Sequence, residues 1–328
     1  MRTQDTLAGL SWRAITRDDA AAWATLLADA ERVDRTGEHY SAEDLLEELD
    51  DPGLDAARDT LAAFAEDGAM VAYGLVRSSG TVAEADRLHV ECCVHPGHRR
   101  RGLGREVFRR ACERAREVHE ARRLDVPGVV LTRLHDGNPG AAAVAVEAGL
   151  APLRFWYDMQ RDLDGGPPVV PAPVADGVRL APFEAARDEA TRHAHNEAFA
   201  AHWGSVARDE TSWKQWFTGS RSFRAEVSLL ALDGDEIAGY LLGYEYEADV
   251  AATGVREAWV GQIGVRPAWR GRGIGAALLT HGLAGFAAAG YQRVALGVDT
   301  GNVTTALRLY EGAGFTVTER WTSYGRPL

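Results

Sequence analysis

The sequence predicts an α/β chain of the α+β kind: two tandem copies of one domain, each a mixed, mostly antiparallel sheet flanked by helices. Three observations carry this. A length of 328 residues is long for one core and natural for two domains of roughly 150 residues each. Residues 164–176, DGGPPVVPAPVAD, contain four prolines and two glycines, which keep a segment extended and unable to continue a helix or a central strand. The halves on either side repeat one order of elements. The expected layout is a domain over 1–163, a linker over 164–176 and a domain over 177–328.

The elements follow in order. Each copy opens on a short strand and two helices, which in the second copy fall at roughly 184–200 and 209–218. Next comes a hairpin. Residues 61–76 and 229–242 are apolar runs broken at Asp67-Gly68 and Asp233-Gly234, dipeptides that suit a tight turn between strands. A third strand, 88–94 or 259–265, runs into an arginine-glycine loop. The helix after it carries an apolar stripe. In the first copy this is Leu103, Val107, Phe108, Cys112, Ala115 and Val118; in the second it is Ile274, Leu278, Leu279, Leu283 and Phe286, stopped by Gly290. A strand (129–134 or 294–298), a helix opened near Asn138 or Asn302, and a closing strand pair complete each copy. Hairpin-linked strands are antiparallel, whereas the strand–helix–strand unit in the middle is a right-handed parallel crossover.

Composition narrows the function classes. Apolar residues make up 46%, enough for two cores, yet no apolar run reaches the roughly 20 residues of a membrane helix. No secretory signal is expected in MRTQDTLAGL. Cys92, Cys93 and Cys112 form neither a disulfide framework nor a metal spacing, and His193 and His195, two apart, do not share a helix face. No metal and a cytoplasmic location are expected. Asp and Glu number 48 against 36 Lys and Arg, a formal charge of −12. Repulsion from phosphates argues against nucleic-acid binding. The same charge suits a cationic partner such as an amine, although any soluble acidic chain shares the sign.

Residues Arg270-Gly271-Arg272-Gly273-Ile274-Gly275, followed by Ala276, end a strand and begin a helix. Glycines let the backbone turn and a ligand approach closely. The first helical N–H groups lack partners, and together with the helix dipole they favour a pyrophosphate. Arg270 and Arg272 add charge and donors. The first copy has Arg99-Arg100-Arg101-Gly102-Leu103-Gly104 at the same place. One Arg-x-x-Gly-x-Gly match describes many basic turns. Two matches, each between a strand and an amphipathic helix, are the context that a phosphate loop requires. Neither ends in Lys-Ser/Thr as a P-loop does. Taken with Ile263-Gly264-Val265, Pro267, Asn302, Ala306-Leu307, Tyr310 and Gly314-Phe315, these loops make both halves resemble the GNAT superfamily of N-acetyltransferases.

That resemblance implies two GNAT domains, acetyl-CoA as cosubstrate, and direct acetyl transfer to an amine. It implies that the strand before the loop splays from its neighbour, so that free N–H groups at Ile263 and Val265, on either side of Gly264, bind the pantetheine and the acetyl carbonyl. Cys92 and Val94 are the matching strand positions in the first copy, with Arg99, Arg101, Gly102 and Gly104 in its loop. Asn302 belongs to the implied cofactor site, and Tyr310 is the implied acid for the leaving thiolate. The family's usual base position, six residues before Val265, is Trp259 here, and the next, Gly261, has no side chain. Glu257 shares a strand face with Trp259 by alternation and is the candidate base. Glu245 and Glu247 stand in reserve on the adjoining strand, and loss of the proton to water is the alternative. The early helices would cover the acceptor, which makes Asn196, His202, Trp203 and Trp259 candidate substrate residues. Glu38, near Asp34 and His39 in the matching region of the first copy, could reach across. Val146 stands where Tyr310 stands in the second copy, so the chemistry is expected in the second domain and the first is expected to be non-catalytic. The tandem layout is similar to family members that acetylate the cysteinyl amine of a thiol sugar. The expected acceptor is a small-molecule amine. A non-catalytic acyl-CoA-binding module is the competing class; Trp259 fits it and Tyr310 opposes it.

Overall fold

The computed structural model describes residues 9–78, 80–166, 168–302 and 306–328, with the Asn302 side chain outside the described set. In chain order the first half forms β1 (Ser11–Arg13), α1 (Ala20–Asp34), α2 (Ala42–Leu49), β2 (Thr60–Phe64), β3 (Met70–Ser78), β4 (Asp86–Val94), α3 (Leu103–Arg122), β5 (Gly128–His135), α4 (Pro139–Glu147) and β6 (Ala151–Asp162). The second half forms β7 (Val178–Pro182), α5 (Asp188–Phe199), α6 (Glu210–Trp213), β8 (Phe223–Asp233), β9 (Glu236–Tyr244), α7 (Glu247–Thr253), β10 (Glu257–Val265), α8 (Ile274–Ala288), β11 (Arg293–Asp299), α9 (Ala306–Gly312) and β12 (Thr316–Pro327).

Two compact units result, and they do not divide at the proline-rich segment. One runs to Phe155 and takes in Arg320–Leu328; the other is Trp156–Glu319. In the first, β1 to β4 follow one another antiparallel, β5 lies parallel to β4, and Trp321–Pro327 closes the sheet against His135–Val129. In the second, β7 to β10 are antiparallel neighbours, β11 is parallel to β10, and Trp156–Asp162 closes the sheet against Asp299–Arg293. The closing strand pair expected in each half is therefore one long strand. Its N-terminal and C-terminal parts serve different units.

The crossover helices bury the stripes read from the sequence. In α8 these are Ile274, Ala277, Leu278, Leu279, Leu283 and Phe286; in α3 they are Leu103, Val107, Phe108, Ala111, Cys112 and Ala115. Each buried Leu or Phe contributes about 1.5–3 kcal/mol, so these helices fix the sheet behind the arginine-glycine loops. The segment 164–176 is strapped to α8 rather than free. Ala172 N–H donates to Thr280 Oγ1 at 2.8 Å, His281 Nε2 lies 3.1 Å from Ala172 O, and Arg272 donates to Asp176 O. Residues 245–247, read as strand, leave β9 at Tyr244 and open α7.

Candidate functional site

The site begins with a break in strand pairing. β10 pairs with β11 from Glu257↔Arg293 to Val260↔Leu296 and no further. At the same point a bulge between Val260 and Gln262 shifts its register on β9. Arg266 N–H donates to Ala238 O on the β9 side. Alternation along a strand then turns the N–H groups of Val265 and Ile263 into the opening. Gly261 sits in the bulge because a Cβ there would lie 2.5 Å from the Tyr244 ring. Gly261→Ala is expected to destabilise the protein by about 1–3 kcal/mol through this overpacking, read as a lower urea midpoint with an unchanged slope. An unaltered midpoint would mean that Tyr244 moves aside freely.

The strand is also braced from behind. A Cβ on Gly264 would meet the Tyr240 ring at 2.8 Å, and the Tyr240 hydroxyl lies 2.7 Å from His195 Nδ1. Both side chains are buried. Burial lowers His195 to about 4 and pushes the Tyr240 phenol up, so the pair is a neutral hydrogen bond that fixes the aromatic wall behind β10.

At the C-terminal end of β10 the loop takes the shape expected for an anion. Gly271 and Gly273 have φ of +77° and +78°, and a Cβ on either would meet no atom of the described residues within 4 Å. Gly273 precedes α8 with no side-chain cap, and Ala277 N–H is the first to bond back, to Gly273 O. The N–H groups of Ile274, Gly275 and Ala276 therefore precede the first helical bond. The arginines are placed differently from the expectation that both aim at phosphate. Arg270 turns back, donating to Val265 O at 3.2 Å and to Ala198 O at 2.7 Å, so it anchors the loop to β10 and α5. Arg272, half exposed, lies 3.5 Å from Asp233.

The two faces of the opening differ. On the α8 face Tyr310 is buried in the cluster that contains Val298, with Ile263 and Val265 packed against it. Its ring meets Phe315 edge-on at 6.2 Å, and burial pushes its phenol up to about 12. It therefore stays protonated and able to donate. Asn302, expected beside it, has its side chain outside the described residues.

The α5 face is aromatic and acidic. Trp203 lies 6.4 Å from Trp156, and Trp156 pairs in register with Asp299. Asp299 is buried, takes an N–H from Gly301, and comes within 4.0 Å of His202 Nε2. Asp158, also buried, is in register with Gly297, where a Cβ would sit 3.4 Å from its carboxylate. Trp259 packs on Tyr246 at 6.1 Å and donates to Glu257 Oε1 at 3.2 Å. His202, Trp203 and Trp259 thus fall on the expected face.

Four sequence candidates are engaged elsewhere. Asn196 is tied at both ends of its amide to the Arg208 backbone, so it closes the loop after α5. Glu257 is on the predicted face, but Arg293 takes its second oxygen. It lies six residues, about 20 Å, along the strand from Ile263. Burial raises its pKa while Arg293 pulls it down. Glu245 accepts from Arg256, and Glu247 pairs with Arg224. Sequence reasoning missed Asp299, Trp156, Asp158 and the His195–Tyr240 pair. The signal for Asp299 was present in VDTGN, at the end of the strand facing Ile263; Trp156 and Asp158 sit before the proline segment and were assigned to the first domain.

The acetyltransferase (GNAT) family model matches residues 21–139 and again 189–315. The chain belongs to the GNAT family. It is an acetyl-CoA-dependent N-acetyltransferase with two GNAT domains in tandem. Mycothiol acetyltransferase of Salinispora arenicola is 32% identical over 319 residues, covering 93% of this chain and 91% of the relative. The protein of the same name from Thermobispora bispora is 36% identical over 245 residues, covering 71% and 72%. A GCN5-related N-acetyltransferase from Sphaerobacter thermophilus aligns with a TM-score of 0.76 at 29% identity, covering 98% of this chain and 96% of that one. A tandem GNAT protein from the clavulanic acid biosynthesis pathway aligns at 0.72 and 19% identity over 97% and 98%, a likeness of fold.

The two GNAT domains are not equal. In the first, β4 also leaves β5 after His89↔Leu131. His95 N–H bonds Val71 O, so the N–H groups of Cys92 and Val94 face that opening as those of Ile263 and Val265 face theirs. Its β3–β4 register runs without a bulge from Ala72↔Val94 to Ser78↔Leu88. Gly102 has φ +87°, like Gly273. Arg100, however, holds φ +63° where Gly271 stands in the other domain, a left-handed conformation costing roughly 1–2 kcal/mol for a non-glycine residue. Arg99 is paired with both oxygens of Asp34 at 2.6 Å. Asn138 spends its oxygen on Ala141 N–H and its amide on Asp34. Val146 is 56% exposed where Tyr310 is 8% exposed. Arg101 and His98 line a cavity of about 410 Å³ beside Gly104's helix. Glu38 accepts from the Tyr40 hydroxyl at 3.2 Å.

Proposed function

We propose that the Trp156–Glu319 unit transfers acetyl from acetyl-CoA directly to a small-molecule amine, and that the other GNAT domain performs no transfer. The carrying observation is the opening in β10–β11, with Tyr310 on one face and an aromatic, acidic wall on the other. The N–H groups at the start of α8 take the pyrophosphate. The Ile263 N–H faces the thioester carbonyl and steadies the charge that builds there as the amine attacks. The C–S bond breaks toward Tyr310, whose hydroxyl gives its proton to the sulfur. The amine enters from the α5 face, where tryptophan rings and the carboxylates of Asp158 and Asp299 suit a cationic acceptor. Glu257, held by Arg293 about 20 Å along β10 from Ile263, is left as a brace of the paired end.

The relatives favour one acceptor within this class, the cysteinyl amine of a thiol sugar, because mycothiol acetyltransferase matches the chain over nearly its whole length. Trp259 at the usual base position means that the same proton route does not carry over. The test incubates the protein and acetyl-CoA with glucosamine, S-methylcysteinamide, spermidine and a lysine peptide, following thiol release and product mass. S-methylcysteinamide is the expected best acceptor; preference for the lysine peptide would replace a small-molecule acceptor with a protein one.

Tyr310→Phe should lower kcat by roughly 10² or more with acetyl-CoA affinity retained, since only the proton to the thiolate is lost. Near-normal turnover would return Tyr310 to a packing role beside Phe315.

A further inference from the structure

We infer that His202 and Asp299 form the proton-accepting dyad of the transfer reaction, with His202 as the base and Asp299 as its positioning residue. This rests on acetyl transfer in the Trp156–Glu319 unit. The usual base position holds Trp259, Gly261 is filled by the Tyr244 ring, and Glu257 is held by Arg293. A side-chain base therefore comes from another element, the alternative being loss of the proton to water.

Register supplies the location. Val260↔Leu296 is the last pair of β10 with β11; counting on, with the one extra residue that the bulge takes in β10, sets Val298 level with Ile263 and Asp299 level with Gly264 across the opening. Val298 belongs to the core on the α8 face, so alternation turns Asp299 to the α5 face, where the acceptor enters. Its carboxylate is buried, one oxygen fixed by Gly301 N–H at 2.8 Å and the other 4.0 Å from His202 Nε2. That separation is longer than a hydrogen bond. Catalytic hydrogen bonds are often long or unmade before substrate binds and tighten in the complex. His202 is itself placed by its backbone: its N–H bonds Phe199 O, Ser205 N–H bonds its carbonyl, and its ring packs on Phe199 at 5.5 Å. Trp203, the next residue, brackets the same wall with Trp156.

The step balances. Asp299 holds the hydrogen of the His202 imidazole on Nε2, which leaves Nδ1 as the acceptor. An acceptor that arrives as the ammonium ion first gives one proton to solvent; the free amine nitrogen then forms the new bond to the acetyl carbon, and its second proton goes to Nδ1. The C–S bond breaks, and the sulfur takes the Tyr310 proton. Solvent then carries a proton from His202 to Tyr310, leaving amide and free CoA thiol. The two proton-transfer groups stand on opposite faces of the opening, so attack and departure do not compete for one side chain.

The experiment uses the full chain, acetyl-CoA, and whichever of the four amines above the wild type acetylates fastest. His202→Ala should lower kcat roughly 10²-fold with the acetyl-CoA Kd unchanged, and added imidazole should restore turnover several-fold. Asp299→Asn should lower kcat about tenfold at unchanged acetyl-CoA Kd, without rescue by imidazole. His202→Gln, closer in shape, is the companion should the alanine variant unfold, and is expected to be as slow. Turnover within twofold of wild type in a folded His202 variant overturns the dyad and leaves the acetyltransferase assignment intact. A slow His202→Ala that imidazole does not rescue also overturns it, since that is loss of a packing group. A wild type that acetylates none of the four amines while binding acetyl-CoA removes the proposed acceptor class and the dyad with it.

Discussion

Gly273→Leu should abolish turnover, by at least roughly 10² in kcat/KM, and weaken acetyl-CoA binding, while Gly102→Leu leaves turnover within about twofold. Both glycines have left-handed φ, +78° and +87°, so both variants carry a similar backbone strain of roughly 1–2 kcal/mol. The comparison is thereby controlled for stability. At Gly273 a new Cβ has open space around it among the described residues. That space lies over the N–H groups that open α8, and it is needed by a pyrophosphate. The bulky side chain therefore obstructs the ligand more than the fold. Gly102 opens an equivalent loop in a domain that has Val146 in place of Tyr310 and no bulge in β4. Melting curves confirm that both variants are folded, calorimetry measures acetyl-CoA, and thiol release measures turnover. Activity lost in the Gly102 variant and kept in the Gly273 variant would move the chemistry to the other domain.

What the sequence could and could not convey divides along physical lines. Apolar stripes at helical spacing, Asp-Gly turns and the paired loops are local, and they placed α3, α8 and the hairpins correctly. Alternation put Glu257 on the α5 face together with Trp259. It could not show that Glu257 lies in the paired part of β10, away from the opening, because that depends on where β10 parts from β11 at Val260. Asn196 looked available on its helix, and its engagement by the Arg208 backbone comes from the return of a loop. Asp299 and His202 are far apart in sequence, and only the return of the loop after α5 over the end of β11 brings them together. The bulge at Gly261 is set by the bulk of Tyr244 on the neighbouring strand, a constraint that neither strand states alone.

The chain cut at its proline-rich segment should fail as a domain. Residues 177–328 contain every loop and helix of the second GNAT repeat, yet they lack Trp156–Asp162, the strand that pairs with β11 from Arg293↔Asp162 to Asp299↔Trp156. Removing it exposes the edge of β11, a template for aggregation. It also empties the site of Met159, which is fully buried in that unit's core; loss of one such side chain costs about 2–5 kcal/mol. The donation from Arg161 to Ala313 O and the strap from Ala172 to Thr280 go with it. Against a typical stability of about 5–15 kcal/mol, these losses together leave no cooperative fold. Residues 150–319 retain the strand, the strap and the whole Trp156–Glu319 unit. That fragment should melt cooperatively, and saturating acetyl-CoA should raise its Tm by mass action. Residues 177–328 should show no cooperative melt and no ligand-induced shift. A cooperative melt of 177–328 with acetyl-CoA affinity equal to the full chain would mean that β6 only covers an edge the unit can leave open.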